Sequence, residues 1–166
     1  LATYNRFKKL KIVPDEKIFF LPDPIINVAE ISKLKQEKTV MNYNNYLIAI
    51  GRLTKQKNFS FLIDKFKKLN LLEHNLKLLI FGNGEQKKIL QKKIYDLSLE
   101  KKIEIVPFKK NIYPYLKNAK CFILSSLWED PGFVLLESAF CRTFIISSDC
   151  KNGPDEIIKK NKAGLI

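Results

Sequence analysis

Short apolar runs alternate with amphipathic stretches along most of the chain. Runs at Lys17–Leu21, Tyr46–Ile50, Leu76–Phe81, Ile103–Val106, Cys121–Leu124, Phe144–Ser147 and Gly164–Ile166 have the length and composition of strands. Between them, apolar residues recur at helical spacing over Phe59–Leu69, Glu85–Leu97, Ile112–Asn118, Pro131–Phe140 and Pro154–Lys160. Apolar strands that alternate with helices predict an α/β fold, a parallel sheet with helices on both faces. In such a sheet a ligand lies beyond the carboxyl ends of the strands. The loops that follow the strands are therefore where chemistry is expected.

The most informative of these loops follows Cys121–Leu124. Ser125 and Ser126 mark the end of the strand, and Glu129 and Glu137 lie eight residues apart across a loop-to-helix junction. Pro131 suits the first helical position and Asp130 the capping position before it. Phe133, Leu136 and Phe140 then recur at helical spacing and predict the buried face. At 1.5 Å per residue Glu137 lies roughly 9 Å along the axis from Pro131, while Glu129 stays at the mouth of the helix. That layout suits an extended polar ligand with its negative part against the free N–H groups of the first turn. A helix cap followed by a solvent-facing glutamate is the alternative.

Two further strand ends carry polar or glycine-rich turns. After Ile50 come Gly51, Arg52 and Lys57. A planar guanidinium and a flexible ammonium there would clamp a diphosphate, or be two surface cations in a loop. Gly82-Asn83-Gly84 after Phe81 would let a ligand approach the backbone, but it lacks both the dinucleotide Gly-x-Gly-x-x-Gly pattern and a P-loop ending. The loop from Val106 to Leu116 would hold a flat base near Phe108 and Lys109, with Tyr113 or Tyr115 beside it; core and rim packing of the aromatics is the alternative. His74 has no second histidine or acidic cluster at metal-ligand spacing and reads as a surface residue. No serine has the setting of a nucleophile elbow.

Composition narrows this further. With 166 residues, 46% apolar and 28% charged, the chain has material for one domain with a real core. No apolar run approaches the roughly 20 residues of a membrane span, and the first residues lack a signal-like apolar block. Cys121, Cys141 and Cys150 are odd in number and argue against disulfide stapling, which fits a reducing, cytoplasmic setting. The net charge of +13 would attract phosphates, nucleic acid or an anionic membrane surface. The lysines, however, occur as scattered pairs such as Lys67-Lys68 and Lys92-Lys93 inside amphipathic helices. Without aromatic-basic interleaving or a recognition helix, that pattern speaks against nucleic-acid binding.

Taken together, Gly51-Arg52-Leu53 with Lys57, Gly82-Asn83-Gly84, Ser125 through Glu137, Ser147-Ser148-Asp149-Cys150 and Gly153-Pro154-Asp155-Glu156-Ile157-Ile158 resemble the nucleotide-sugar-binding half of a retaining glycosyltransferase. The family is group 1, or GT4, with the two-domain, Rossmann-like GT-B fold. The resemblance implies a catalytic role for Glu129 beside the transferred sugar and ribose binding by Glu137. It places the donor diphosphate on Arg52 and Lys57, with Gly132, Phe133, Val134 and Leu135 as the backbone that meets sugar hydroxyls and phosphate. The family's usual Glu-Gly-Phe-Gly stands here as Glu129-Asp130-Pro131-Gly132.

The resemblance also implies a hexosyltransferase that acts without a metal or other cofactor. Its substrates would be a nucleoside-diphosphate sugar and a glycan or lipid-linked acceptor of polysaccharide or lipopolysaccharide biosynthesis, with peripheral contact at the inner face of the cell membrane. Residues 1–20 would be an incoming linker and first strand region, and residues 21–166 a donor-binding domain cut at its carboxyl end. An amino-terminal acceptor domain would then belong to a longer parent, and this piece alone would be inactive. A sugar-nucleotide epimerase or phosphorylase-like enzyme, and a non-catalytic phosphate- or nucleic-acid-binding module, are the competing classes.

Overall fold

A computed structural model describes residues 2–19, 27–38, 44–70, 75–130, 132–150, 154, 157–158 and 164–166. Its centre is a six-stranded sheet of β1 (Tyr46–Ile50), β2 (Lys77–Phe81), β3 (Ile103–Val106), β4 (Cys121–Leu124), β5 (Ile145–Ser147) and β6 (Gly164–Leu165). The spatial order is β3-β2-β1-β4-β5-β6, and every neighbouring pair is parallel. The helices are α1 (Ala2–Leu10), α2 (Val28–Leu34), α3 (Phe59–Asn70), α4 (Lys87–Asp96), α5 (Tyr113–Asn118) and α6 (Phe133–Phe140). This is a Rossmann-like parallel sheet flanked by helices on both faces, the arrangement expected for one half of a GT-B architecture.

Successive strand residues point to opposite faces, and here both faces are apolar because both are covered. Leu47, Ala49, Leu78 and Ile80 pack with Phe59, Leu62, Ile63 and Phe66 of α3 and Leu90 and Ile94 of α4. On the other face Tyr46, Ile48, Leu79 and Phe81 pack with Tyr115 and Leu116 of α5 and Leu135 of α6. The i, i+3, i+4, i+7 spacing of Phe59, Leu62, Ile63 and Phe66 explains why α3 is a helix and which side it buries.

Six of the strands and the helices over 59–70, 87–96 and 113–118 follow the hydrophobic pattern closely. The strand expected over Lys17–Leu21 does not form in its described part. Asp15–Lys17 is a 3-10 turn that starts after Pro14, Ile18 and Phe19 join no sheet, and Leu21 lies outside the described residues. Of the helix expected over Pro154–Lys160, Pro154, Ile157 and Ile158 are described, all helical, and Ile158 is in the core. The lysine-rich α1 and the short α2 were not anticipated. Asn27 caps α2 by accepting the Glu30 N–H at 3.2 Å.

The strand order has one reversal. From β1 the chain builds outward through β2 to β3, then returns to lay β4 on the other side of β1. The loops after β1 and β4 therefore face each other at a topological switch point, where open parallel sheets leave a crevice. The loop after β1 is stitched to the next strand end. Gly51 N–H donates to the Phe81 carbonyl at 3.0 Å, Leu53 N–H to Asn83 at 2.9 Å, and Gln86 N–H to Leu53 at 3.0 Å. Gly82 is needed for this closeness, since a Cβ there would sit 1.9 Å from the Gly51 carbonyl oxygen. Gly82→Ala is expected to push the two strand ends apart and cost at least roughly 1–3 kcal/mol. A chemical-denaturation midpoint equal to that of the unchanged chain would contradict this packing.

Candidate functional site

Beyond β1 the backbone passes Gly51 and Arg52 into a 3-10 turn at Lys55–Lys57, which ends on Asn58 in the left-handed conformation. The turn folds the Lys57 stem under Gly51, where a Cβ would lie 2.8 Å from Lys57 Cε. Beyond β4 the loop is fastened to this turn at several points. Ser125 Oγ donates to the Lys57 carbonyl at 2.8 Å. Leu127 N–H donates to the Gln56 carbonyl at 2.8 Å, and Gln56 Nε2 donates to the Trp128 carbonyl at 2.9 Å. Ser148 Oγ, just past β5, donates to the Ser126 carbonyl at 2.6 Å.

These ties carry Glu129 to Lys57. The carboxylate is 4% exposed, and its Oε1 accepts from Lys57 Nζ at 2.6 Å and from Ser126 Oγ. A buried carboxylate costs several kcal/mol unless it is paired and hydrogen-bonded, so Lys57 and Ser126 are the conditions for Glu129 to lie there. Arg52 is exposed, and its side chain has no hydrogen bond or ion pair among the described residues.

The junction into α6 departs from expectation. The residue that precedes the helix is Gly132, not Asp130. It takes φ +79°, a left-handed conformation that costs glycine nothing, and Phe133 is the first helical residue. Pro131 lies outside the described residues. The buried side of the helix is Leu135 and Ser138 rather than Phe133, Leu136 and Phe140; Phe133 is 36% exposed. Leu135 N–H is bonded back to the Gly132 carbonyl at 2.9 Å. The N–H groups of Phe133 and Val134 have no hydrogen-bond partner among the described residues.

Starting the helix at Phe133 puts Glu137 one turn in. Its Oε1 accepts the Tyr113 hydroxyl at 3.2 Å. Burial pushes the Glu137 carboxyl above its ordinary value, and the Tyr113 hydrogen bond offsets part of that. Tyr113 itself is pushed up to about 12, mainly by burial and then by the neighbouring carboxylate.

Two adjoining hollows open on this crevice and share a wall of Ile50, Gly51 and Arg52. The first, about 380 Å³, also brings together Phe108, Lys109, Tyr113 and Glu137. The second, about 290 Å³, brings together Lys57, Glu129, Gly132, Phe133 and Val134. Tyr115, expected near the base region, lines neither hollow. It is buried against Phe81 with ring centroids 5.0 Å apart, and its carbonyl accepts the Tyr46 hydroxyl at 2.7 Å. Leu135 is likewise fully buried in the core.

Sequence reasoning missed Ser126 as a partner of Glu129, although Ser125-Ser126 at a strand end was a visible signal. It also missed Gln56, which acts mostly through main-chain geometry that no residue type announces. Among the described residues no group of three or more His, Cys, Asp or Glu side chains could hold a metal. No helix among them is long and apolar enough to cross a membrane. His74 lies outside the described residues, and the three cysteines are buried free thiols.

Residues 30–166 match the protein family described as glycosyl transferases group 1. The chain is 39% identical over 163 residues to an uncharacterized glycosyltransferase of Methanocaldococcus jannaschii, covering 93% of this chain and 38% of that protein. It is 37% identical over 139 residues to the amylovoran biosynthesis glycosyltransferase AmsD of Erwinia amylovora, covering 80% of this chain and 39% of that protein. The chain thus spans about two fifths of the length of these relatives. Among solved structures, an S. aureus TarM mutant in complex with Fondaparinux, alpha-GlcNAc-glycerol and UDP superposes with a TM-score of 0.80 at 19% identity, over 99% of this chain and 32% of that one. Anabaena HepE in complex with UDP gives 0.72 at 20% identity, over 99% of this chain and 47% of that one. At these identities the structural likeness is one of fold.

Two stability measurements check the site. Lys57→Met is expected to cost about 3–5 kcal/mol, because it strands the buried Glu129 carboxylate. Adding Glu129→Gln should recover much of that loss; additive losses in the double variant would contradict the pairing. Glu137 gives a prediction of the opposite sign. A carboxyl held above its unfolded value binds its proton more tightly in the fold, so its contribution favours folding at low pH and is lost as pH rises through the folded value. Glu137→Gln should therefore melt no lower than the unchanged chain at pH 7, with any gain shrinking toward about pH 4. A large loss of melting temperature at pH 7 would assign Glu137 to the scaffold instead.

Proposed function

The chain belongs to the group 1 glycosyl transferases, and from that premise we propose that it is the donor-binding half of a retaining hexosyltransferase. The donor is a nucleoside-diphosphate sugar and the acceptor a glycan or a lipid-linked glycan. The observation that carries this reading is the pair of adjoining hollows, each with one of the two glutamates, joined along the Gly51–Arg52 wall. An elongated ligand with a nucleoside at one end, a sugar at the other and negative charge between them matches that order.

In this reading the nucleoside occupies the larger hollow. Phe108 is 71% exposed and offers an aromatic face to the base beside Lys109, while Glu137 accepts from the ribose hydroxyls. The diphosphate crosses the shared wall to Arg52, whose charge is not otherwise engaged among the described residues, and to Lys57. The Phe133 and Val134 N–H groups at the start of α6 add the partial positive charge of a helix N-terminus. The sugar then lies against Glu129, Gly132 and the first turn of α6.

The chemistry follows from where charge develops. As the glycosidic bond breaks, the departing diphosphate gains negative charge, and fixed cations and N–H donors stabilise it without reorganising. Glu129 positions the sugar rather than attacking it. A double displacement needs two carboxyl groups about 5 Å apart across one sugar, whereas these two glutamates belong to separate hollows. Departure and attack on the same sugar face is the route this arrangement favours.

Transfer also needs the acceptor oxygen at near-contact distance. We assign that task to the remainder of a longer protein, since the chain spans about two fifths of its relatives, and we read residues 21–166 as the donor domain. The net charge of +13 supports a peripheral approach to anionic lipid surfaces that carry the acceptor.

Calorimetric titration with UDP and GDP tests the assignment. Arg52→Ala should weaken the bound nucleotide by roughly 1.5–3 kcal/mol, the loss of a charge-assisted contact. Glu137→Gln should weaken nucleotide with or without its sugar, whereas Glu129→Gln should spare bare nucleotide and abolish transfer in the full-length protein. Equal loss of bare-nucleotide affinity in both glutamate variants, or tighter binding of a short oligonucleotide than of either nucleotide, would contradict the reading.

A further inference from the structure

Glu137 does not stand alone in the larger hollow. Tyr113, the first residue of α5, lines the same hollow and donates its hydroxyl to Glu137 Oε1 at 3.2 Å. Its backbone is fixed from three sides. Tyr113 N–H donates to Asn111 Oδ1 at 3.2 Å, and the Asn111 amide donates to the Leu34 carbonyl at 3.0 Å and the Glu37 carboxylate at 2.8 Å. Cys141 Sγ donates to the Tyr113 carbonyl at 3.7 Å, which ties the start of α5 to the end of α6. The hydroxyl is thus delivered to Glu137 by α2, α5 and α6 together.

We propose that Tyr113 is the positioning residue for Glu137: its hydroxyl holds one carboxylate oxygen so that the other is presented, as an acceptor, to the ribose hydroxyls of a bound nucleotide. This rests on the assignment of Glu137 to the ribose. A half-buried carboxylate on a helix would otherwise face two problems, a choice of rotamers and a tendency to pick up a proton that turns an acceptor into a donor. One hydrogen bond from a neutral phenol answers both, because burial also keeps the Tyr113 hydroxyl protonated and able to donate. Tyr115, two residues on, has its ring in the core and cannot substitute.

The groups that bear on this pair are few. Arg52, Lys109 and Lys110 line the same hollow, Glu30 acts on Tyr113 from α2, and Cys141 and Lys35 lie close by. Lysine and arginine ordinarily stay charged from about pH 4.5 to 8, and tyrosine stays neutral. Cys141 is pushed up to about 11 by burial. Glu30, and Glu37 on the Asn111 amide, are further carboxyls near the pair, and a Glu30→Gln, Glu37→Gln background removes both from the comparison.

The experiment is a pH series of affinities for UDP-N-acetylglucosamine and GDP-mannose, whose diphosphates are esterified at both ends and do not titrate in this range. The unchanged chain, Tyr113→Phe and Glu137→Gln are compared between about pH 4.5 and 8. In the unchanged chain affinity falls as Glu137 takes up its proton. Tyr113→Phe keeps the ring and loses the hydroxyl, so the fall should begin at higher pH, with the loss largest on the acid side. Glu137→Gln should be weak throughout and lack that limb. Carbon-13 NMR of the Glu137 carboxyl in the ligand-free chain should titrate at higher pH in Tyr113→Phe.

An unmoved carboxyl titration, or a Tyr113→Phe profile parallel to that of the unchanged chain, would overturn the role of Tyr113 while leaving Glu137 in place. If Glu137→Gln binds as tightly as the unchanged chain, the ribose assignment falls first and the role of Tyr113 falls with it.

Discussion

The contact between Lys57 and Glu129 is the interaction on which the site depends. It joins the loop after β1 to the loop after β4 across the one reversal in strand order, with Nζ and Oε1 2.6 Å apart. Both partners are nearly buried, at 12% and 4% side-chain exposure. Such a pair is not a cheap source of stability, because the desolvation of two ions can cancel their attraction. Its value is positional. Ser125, Ser126, Gln56 and Ser148 converge on the same seam, so the loops are held by hydrogen bonds, and the ion pair then fixes where charge can sit between them.

That arrangement leaves the protein with groups that the fold itself does not need. Glu137 is buried enough for its carboxyl to be pushed upward, Arg52 is exposed without a partner among the described residues, and the Phe108 ring stands 71% exposed beside a hollow. Each is unfavourable or indifferent for stability. In the proposed reading each is used when a nucleotide with two phosphates crosses from one hollow to the next. A ligand would also change the state of Lys57, whose ammonium is held by Glu129 before any phosphate arrives.

The sheet was legible in the sequence because its strands are apolar on both faces and separated by helices with clear periodicity. Phe59, Leu62, Ile63 and Phe66 announce α3 and its buried side without ambiguity. The first residues were not legible: Lys17 to Phe19 have a strand-like composition, but Pro14 and Asp15 begin a tight turn, and local propensity cannot show that no neighbouring strand is available. The α6 junction failed for a related reason. Asp-Pro looks like a cap and first turn, yet Gly132 alone can take the left-handed turn that aims the helix, so the start moved two residues on and the buried face rotated to Leu135 and Ser138. Arg52, Lys57 and Glu129 stood out as charged residues in the loops just past strands, and Glu137 by its eight-residue spacing from Glu129. Tyr113 and Tyr115 could not be told apart by type; only the rotation of α5 turns one to the hollow and the other to the core.

The central claim is that one ligand spans both hollows. Amide chemical-shift mapping with a nucleoside, its diphosphate and the corresponding nucleotide sugar tests this directly. The nucleoside should move signals around Phe108–Tyr113 and Glu137, the diphosphate should add Gly51–Lys57, and the sugar should add Gly132–Val134 and Glu129. Shifts confined to the lysine-bearing outer faces of α3 and α4, or a nucleotide sugar that moves no more signals than its bare nucleotide, would contradict the account.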